Sequence, residues 1–469
     1  MMRTCFCQLF LAALVTSGSA YAQPFLAQGI MSGEVTANSA LLQTRLTGSD
    51  GPVDGDVPGA PGWVRFDLSE APDFSRATAT PWVEAVAEND FIARVPARDL
   101  KPGAEYHYRA VYGATKEAPR LSHAGRFRTL NPSVPSPVRF VVVTGMNYNK
   151  FHNEENAYTG PDKPLGYPAL WTMRNLMPDF FVGTGDNVYY DHPREGAAET
   201  LPQLRKKWHE QFVQQRYRDL FAFVPTYWEK DDHDHRFNDC DTTGDRLPQS
   251  DLGIKTFVEQ MPVLYPDDPN GKTYRTHRLS KLAQIWFVEG RDYRSPNASP
   301  DGPEKTLWGA EQLAWLKETL LTSDAPYKFL VSPTPLIGPD DAYKKDNHTN
   351  PEGFRTEGEA FFAWLGENRF QEKGFYILCG DRHWQYHSIR PDGFEEFSSG
   401  ALVTANARIG RSPGDPESTD PDAKIKQPYT QTVASGGFLL VNVEEKEGKP
   451  TARFTFHDEF GAVLYTVEK

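Results

Sequence analysis

Residues 375–384 read FYILCGDRHW: five uncharged residues, then Gly-Asp, with a histidine two places further on. An apolar run of this length that does not alternate reads as a strand buried on both faces, which is the habit of parallel sheets. Gly-Asp is a good way to end such a strand in a turn. If the strand instead delivers Asp381 and His383 to a metal, other strand ends must supply matching groups. The same texture recurs in RFVVVT (139–144), DFFVG (179–183), AQIWFV (283–288) and KFLVS (328–332). Between several of these runs lie helical stretches. WGAEQLAWLKETLL (308–321) and EGEAFFAWLGEN (357–368) carry apolar residues at three- and four-residue spacing, among them Phe361, Trp364 and Leu365. Strands alternating with helices predict an α/β domain over 139–469. GFLLVNVEE (437–445) and ARFTFHDEFGAVLYTVE (452–468) alternate like antiparallel strands that close such a sheet.

Before residue 130 the pattern differs. ALLQTRL, WVRFDL, DFIARV and EYHYRAVY (105–112) are short strands separated by turns, the last placing Tyr106, Tyr108, Ala110 and Tyr112 on one face. A Pro-Gly turn leads into Tyr106, where a tyrosine corner would stand, and residues 24–130 resemble a fibronectin type III-like sandwich. LNPSVPSPV follows, and residues 131–138 read as a proline-rich linker. The first 22 residues combine one positive charge, an apolar stretch and a small-x-small ending at Ala20-Tyr21-Ala22. They read as a secretory signal, too short in its apolar part to span a bilayer. The signal has no Arg-Arg pair, so Sec-type export to the periplasm or the medium is expected. No later segment is apolar enough to be transmembrane.

The 469 residues are 39% hydrophobic and carry a formal net charge of −13, which becomes −14 once Arg3 leaves with the signal. A chain this acidic offers no nucleic-acid-binding surface, because phosphate contacts need clustered Lys and Arg. An anionic substrate would have to be attracted by something else, and metal cations would serve. Cys240 and Cys379 alone remain after the signal, either as one bridge or as two free thiols.

In open α/β sheets ligands collect beyond the carboxyl ends of the strands. GDNVYYD after DFFVGT places Asp186, Asn187, Tyr189 and Asp191 there. EKDDHDHRFND, after LFAFVPTYW, places Asp231, Asp232, His233, Asp234, His235 and Asn238. GDRHWQYH, after FYILC, places Asp381, His383 and His387. Each alone has a plain reading as a turn or a solvated acidic loop. Together at one end of one sheet they suit a two-metal hydrolytic centre, in which carboxylates hold hard ions and imidazole widens the range to Mn, Zn and Fe.

GDN, DDHD and GDRH in this order resemble the metallophosphoesterase superfamily, and within it the alkaline phosphatase D family of exported phosphodiesterases and phosphatases. EGRDYRSP (289–296), LWGAEQLAWLKETL (307–320) and KKDNHTNPEGF (344–354) stand where further family segments lie, the last matching least well. The resemblance implies an α/β/β/α metallophosphatase core behind the small all-β domain. It implies hydrolysis of small-molecule or polymeric phosphodiesters, phosphomonoesters or both through a metal-activated water. Two or more metal ions, among Ca, Mn, Zn and Fe, would be held by Asp186, Tyr189, Asp232, Asp381 and His383. His233 would stabilise developing charge or protonate the leaving oxygen beside Asp232, with Asn238 orienting substrate. Arg291 and Arg294 would support phosphate, and Asn347 and His348 are further substrate-binding candidates.

One departure concerns the metal itself. The family's first core strand ends in a cysteine that ligates iron, and here RFVVVTGMNY has Gly145 at that place. Neither Thr144 nor Asn147 replaces a thiolate, which argues against iron. A chain weakened at this corner could instead be an extracellular binding protein on a metallophosphatase-like scaffold, although that reading leaves Asp186, Asp232, His233, Asp381 and His383 without a chemical reason. No G-x-S-x-G elbow points to serine hydrolysis.

Overall fold

The structure is a computed structural model that describes residues 22–469. The expected export signal therefore lies outside the described residues, apart from Ala22.

Two large sheets face one another. The first has nine strands, and its middle is formed by Val138–Val143, Phe180–Thr184 and Thr226–Glu229 in parallel. Gly437–Lys446 pairs antiparallel with Val138–Val143, followed outward by Lys449–Asp458 and Val463–Glu468. The second sheet has seven strands, with Ala283–Phe287, Tyr327–Ser332, Phe375–Cys379 and Glu395–Ser399 running in parallel.

The central strands bury both faces, so successive side chains enter different cores. Phe140 and Val142 point between the sheets, where they meet Phe329, Val331, Leu378 and Phe397. Val141 and Val143 point the other way, into a core with Leu170 and Met173 of helix Pro168–Leu176 and Leu204 and Trp208 of helix Leu201–Phe212. Across the second sheet, Trp286, Leu330 and Ile377 meet Leu316 of helix Ala310–Thr322 and Phe361 and Leu365 of helix Arg355–Glu367. The layering is α/β/β/α, and the uninterrupted apolar strands are what require a cover on each side.

The N-terminal strands are joined to this core. Ile30–Gly33 lies parallel to Thr226–Glu229, with Ala40–Arg45 and Ile92–Ala97 beyond it, so one leaf of the N-terminal sandwich continues the nine-stranded sheet. The facing leaf is built on Gly62–Ser69 and Glu105–Gly113. Tyr106, Tyr108, Ala110 and Tyr112 pack together in the core between the leaves, and the Tyr106 hydroxyl accepts the Lys101 N–H at 3.0 Å. Asp90 ties this region to the helical layer: its carboxylate meets Arg45 Nη2 at 3.0 Å, His209 Nε2 at 2.7 Å and Gln260 Nε2 at 2.8 Å. Cys240 and Cys379 are buried free thiols, so of the two sequence alternatives the bridge is not formed.

Candidate metal centre

The carboxyl ends of the parallel strands carry the chemistry. Asp186 follows Phe180–Thr184, Asp231 and Asp232 follow Thr226–Glu229, and Asp381 and His383 follow Phe375–Cys379. Both Gly-Asp turns put the aspartate in left-handed backbone, Asp186 at φ 53° and Asp381 at φ 59°. Non-glycine residues rarely adopt this conformation, and where they do the surroundings hold them there. At Gly185 the reason is visible. Its φ is 92°, and a Cβ there would lie 2.4 Å from the Asp231 Cβ and 2.6 Å from the Asp231 nitrogen. The two loops touch backbone to backbone, and this contact brings Asp186 to Asp232.

Asp232 is the common member of three groups whose ligand atoms lie within 4.8 Å of one another: Asp186, Asp232 and His233; Asp231, Asp232 and Asp381; and Asp232, Asp239 and Asp346. Tyr189 donates its hydroxyl to Asp186 Oδ2 at 2.7 Å, and His383 Nε2 lies 3.1 Å from the same oxygen. The sequence-predicted set Asp186, Tyr189, Asp232, Asp381 and His383 is thus gathered in one place. His233 is there too. Its Nδ1 meets Asp191 Oδ1 at 2.6 Å, its backbone N–H donates to Asp232 Oδ1 at 2.9 Å, and its ring packs 4.3 Å from that of Tyr189. Asn238 is exposed beside it, its backbone N–H donating to Asp191 Oδ2 at 3.0 Å.

Electrostatics divide these groups. Burial, together with Asp232, Asp231 and Asp381, pushes the Asp186 carboxyl well above its ordinary range despite His233. Burial works against charge on His233, but Asp232, Asp191 and Asp186 hold it as imidazolium, well above the usual histidine value. Burial and the charge of His233 keep His383 well below that value, neutral and able to donate a lone pair.

The centre passes a simple test for cations. Asp186 Oδ1, Asp231 Oδ2 and Asp346 Oδ1 are buried carboxylate oxygens with no hydrogen-bond donor among the described residues. Arg291 partners the other oxygen of Asp231 and of Asp346, but burying the free oxygens without a donor is costly, and hard oxygen donors with the neutral imidazole of His383 nearby suit Ca, Mn or Zn. At Gly145, where the resemblance expects a cysteine, φ is 67°, and a Cβ there would approach the Cα and Cβ of Ala401 to 3.0 Å. Asn406 Nδ2 closes this corner, donating to Gly145 O at 3.2 Å and to Tyr189 Oη at 2.8 Å. Thr144 donates to Gly185 O, and Asn147 caps the helix Tyr148–His152.

The four expected substrate contacts are buried and contact neighbouring groups, with Arg294 Nη2 and His348 Nδ1 left without a hydrogen-bond partner among the described residues. Arg291 is fully buried and directs its guanidinium to Asp231 Oδ1 at 2.6 Å, Cys240 O at 2.8 Å and Asp346 Oδ2 at 3.2 Å. Arg294 donates to Gly290 O, Asn297 Oδ1 and Asp346 O. Asn347 Nδ2 donates to Asp340 Oδ2 at 2.7 Å, and its Oδ1 accepts from Thr349. His348 pairs with Glu357 at 2.9 Å and packs on Trp308. All four brace the loops that carry Asp231 and Asp346. Sequence reasoning did not single out Asp239, Asp346, Lys344, Arg382 or Asn406. Asp346 and Lys344 stand in the weakly matching KKDNHTN stretch, and Arg382 lies inside GDRH itself, paired with Asp381 and Asp340.

The sequence profile of the PhoD-like phosphatase family matches residues 140–452, and that of the PhoD-like phosphatase N-terminal domain matches residues 13–131. The chain belongs to the PhoD-like phosphatase family. Alkaline phosphatase D of Bacillus subtilis (strain 168) is 23% identical over 496 residues, which span 93% of this chain and 79% of that protein. The solved structure of PhoD is similar with a TM-score of 0.72 at 18% identity, covering 96% of this chain and 93% of that one. Purple acid phosphatase PPD1 from yellow lupin (Lupinus luteus) seeds has a TM-score of 0.61 at 13% identity, covering 96% and 74%. These two likenesses show a metallophosphatase fold. Membership of the PhoD-like phosphatase family supports a phosphoesterase function. Among the described residues no helix is long and apolar enough to cross a membrane.

Proposed function

We propose that this PhoD-like phosphatase is an exported, metal-dependent phosphoesterase that hydrolyses phosphodiesters, phosphomonoesters or both. The observation that carries the reading is the convergence of three strand ends on Asp232, with buried carboxylate oxygens left without donors. Asp186, Tyr189, Asp232, Asp381 and His383 would hold the ions. Ions bound there supply Lewis acidity toward the phosphoryl oxygens and lower the pKa of water.

The remaining work falls to side chains of this chain. Asp191 fixes the Nδ1 side of the His233 ring, which leaves Nε2 to give a proton to the leaving oxygen. The same imidazolium offers positive charge where negative charge grows. Asn238, exposed beside it, would orient substrate. Arg291 holds Asp231 and Asp346 in position, so that the acidic groups keep their spacing when the ions come and go. Loss of the cysteine favours oxygen-loving ions over iron.

The test is metal analysis of the purified protein together with assays on a chromogenic phosphodiester and a chromogenic monoester. Bound metal, hydrolysis abolished by chelation, and at least a roughly hundredfold loss in an Asp186→Ala/His383→Ala variant are expected. Full activity in metal-free protein, or an unchanged double variant, would refute the mechanism.

A further inference from the structure

The third carboxylate group differs from the other two. Asp232, Asp239 and Asp346 have ion-holding spacing, yet Lys344 sends its ammonium to Asp239 Oδ1 at 2.6 Å. That ammonium also bears on Asp346 and Asp381, and it helps hold Asp232 and Asp346 ionised. Arg291 and Arg382 also neutralise carboxylates here, but both are sealed inside, Arg291 on three protein acceptors and Arg382 between Asp340 and Asp381. Lys344 stands differently. Its side chain retains 9% exposure beside Asp239, whose side chain is 30% exposed, so this group opens to solvent. Among the described residues, Asp239 is the one hydrogen-bond partner of the ammonium, which has three N–H groups to give.

A lysine in this position is a cation tethered to the chain. It carries one charge, cannot be chelated, and binds phosphate as a point charge where arginine would bind it as a fork. We propose that Lys344 takes the place of a metal ion in the Asp232/Asp239/Asp346 group and donates a free N–H to a phosphoryl oxygen of the bound substrate. The inference rests on the metal-dependent phosphoesterase reading and adds a positioning residue that none of the strand-end motifs contains. It also limits the ion count, because the two groups built on Asp186 and on Asp381 remain for metal.

The experiment uses the full chain, stripped of metal and titrated with Ca²⁺ and with Mn²⁺ by calorimetry, the bound ions then counted by elemental analysis. Wild type, Lys344→Met and Lys344→Arg are compared, with thermal unfolding to confirm that each is folded. Lys344→Met is expected to take up one more ion per chain than wild type, and Lys344→Arg the same number as wild type. In enzymes reloaded only to the wild-type ion count, the inhibition constant of inorganic phosphate should rise roughly tenfold or more in Lys344→Met and be largely kept in Lys344→Arg. Equal ion counts in wild type and Lys344→Met overturn the assignment, and so does a phosphate inhibition constant that Lys344→Met leaves unchanged. If neither protein takes up any ion, the metal-dependent reading falls and this inference falls with it.

Discussion

Replacing Gly145 by alanine or by cysteine tests whether the departure at this corner is built into the backbone. Gly145 has φ 67°, left-handed backbone that costs an L residue roughly 1–2 kcal/mol. Its missing Cβ would stand 3.0 Å from both the Cα and the Cβ of Ala401 and 3.3 Å from Asn406 Nδ2. Ala401 is itself held, since Thr144 bridges to it and the Gly437 N–H donates to its carbonyl, so the clash cannot be relieved by a side-chain swing. Crowding of this kind in a packed interior costs roughly 1–3 kcal/mol. Together the terms predict a loss of about 2–5 kcal/mol for Gly145→Ala. Gly145→Cys should lose at least as much in metal-free protein, because its thiol must also displace the Asn406 amide from Tyr189. Equilibrium urea unfolding of the metal-stripped proteins measures both. The cysteine variant should also fail to gain iron in proportion to its new thiolate, which metal analysis after reconstitution would show. A Gly145→Ala variant within about 0.5 kcal/mol of wild type would refute the reasoning, since neither the backbone nor the contact term could then be acting.

Two further predictions concern other parts of the molecule. Asp191→Asn removes the charge that fixes His233, and kcat on a chromogenic ester should fall roughly ten- to hundredfold with little change in KM; an unchanged kcat would remove His233 from the proton-transfer role. At the domain junction, burial would raise the Asp90 carboxyl, but hydrogen bonding and charge from His209, with Arg45 and Gln260, bring it from 3.8 down to about 2. A depressed carboxyl stabilises the fold above the unfolded-state value and loses that contribution as pH falls through the folded-state value. Asp90→Asn should therefore cost about 2–3 kcal/mol near neutral pH, with the difference fading between about pH 4 and pH 2. A urea-unfolding difference that does not change with pH would show that the carboxylate charge is not what holds the junction.

The parallel strands and their strand-end motifs were legible because each is local: a run apolar on both faces, then a carboxylate within three residues of its end. What lay beyond the sequence was partnership over distance. Tyr189 is 217 residues from Asn406, and Lys344 is 105 from Asp239, so no spacing rule connects them. The pattern of Ile30–Gly33 and Ala40–Arg45 marks strands and their faces but does not name their neighbours, and the continuation of the core sheet into the N-terminal region could not be read from it. Arg291 and Arg294 show a different obstacle. A guanidinium suits phosphate and carboxylate equally well, and only the fold reveals that Asp231 and Asp346 occupy Arg291.

The Gly-Asp pairs are the instructive case, because the sequence offered turn and ligand as rival readings. In the structure they are one reading. Gly185 is needed for the close approach to Asp231, and the left-handed backbone that follows at Asp186, repeated at Asp381, carries each carboxylate to the shared centre. Left-handed backbone alone does not mark a ligand, since Asp54, Asp90 and Asp99 adopt φ of 51°, 52° and 56° away from this centre. Two strained aspartates at the ends of strands from different sheets, meeting around Asp232, are held there by the packing of both sheets. The turn is the means by which the ligand is presented, and the meeting with Asp232 is the mark by which these Gly-Asp pairs can be told from structural ones.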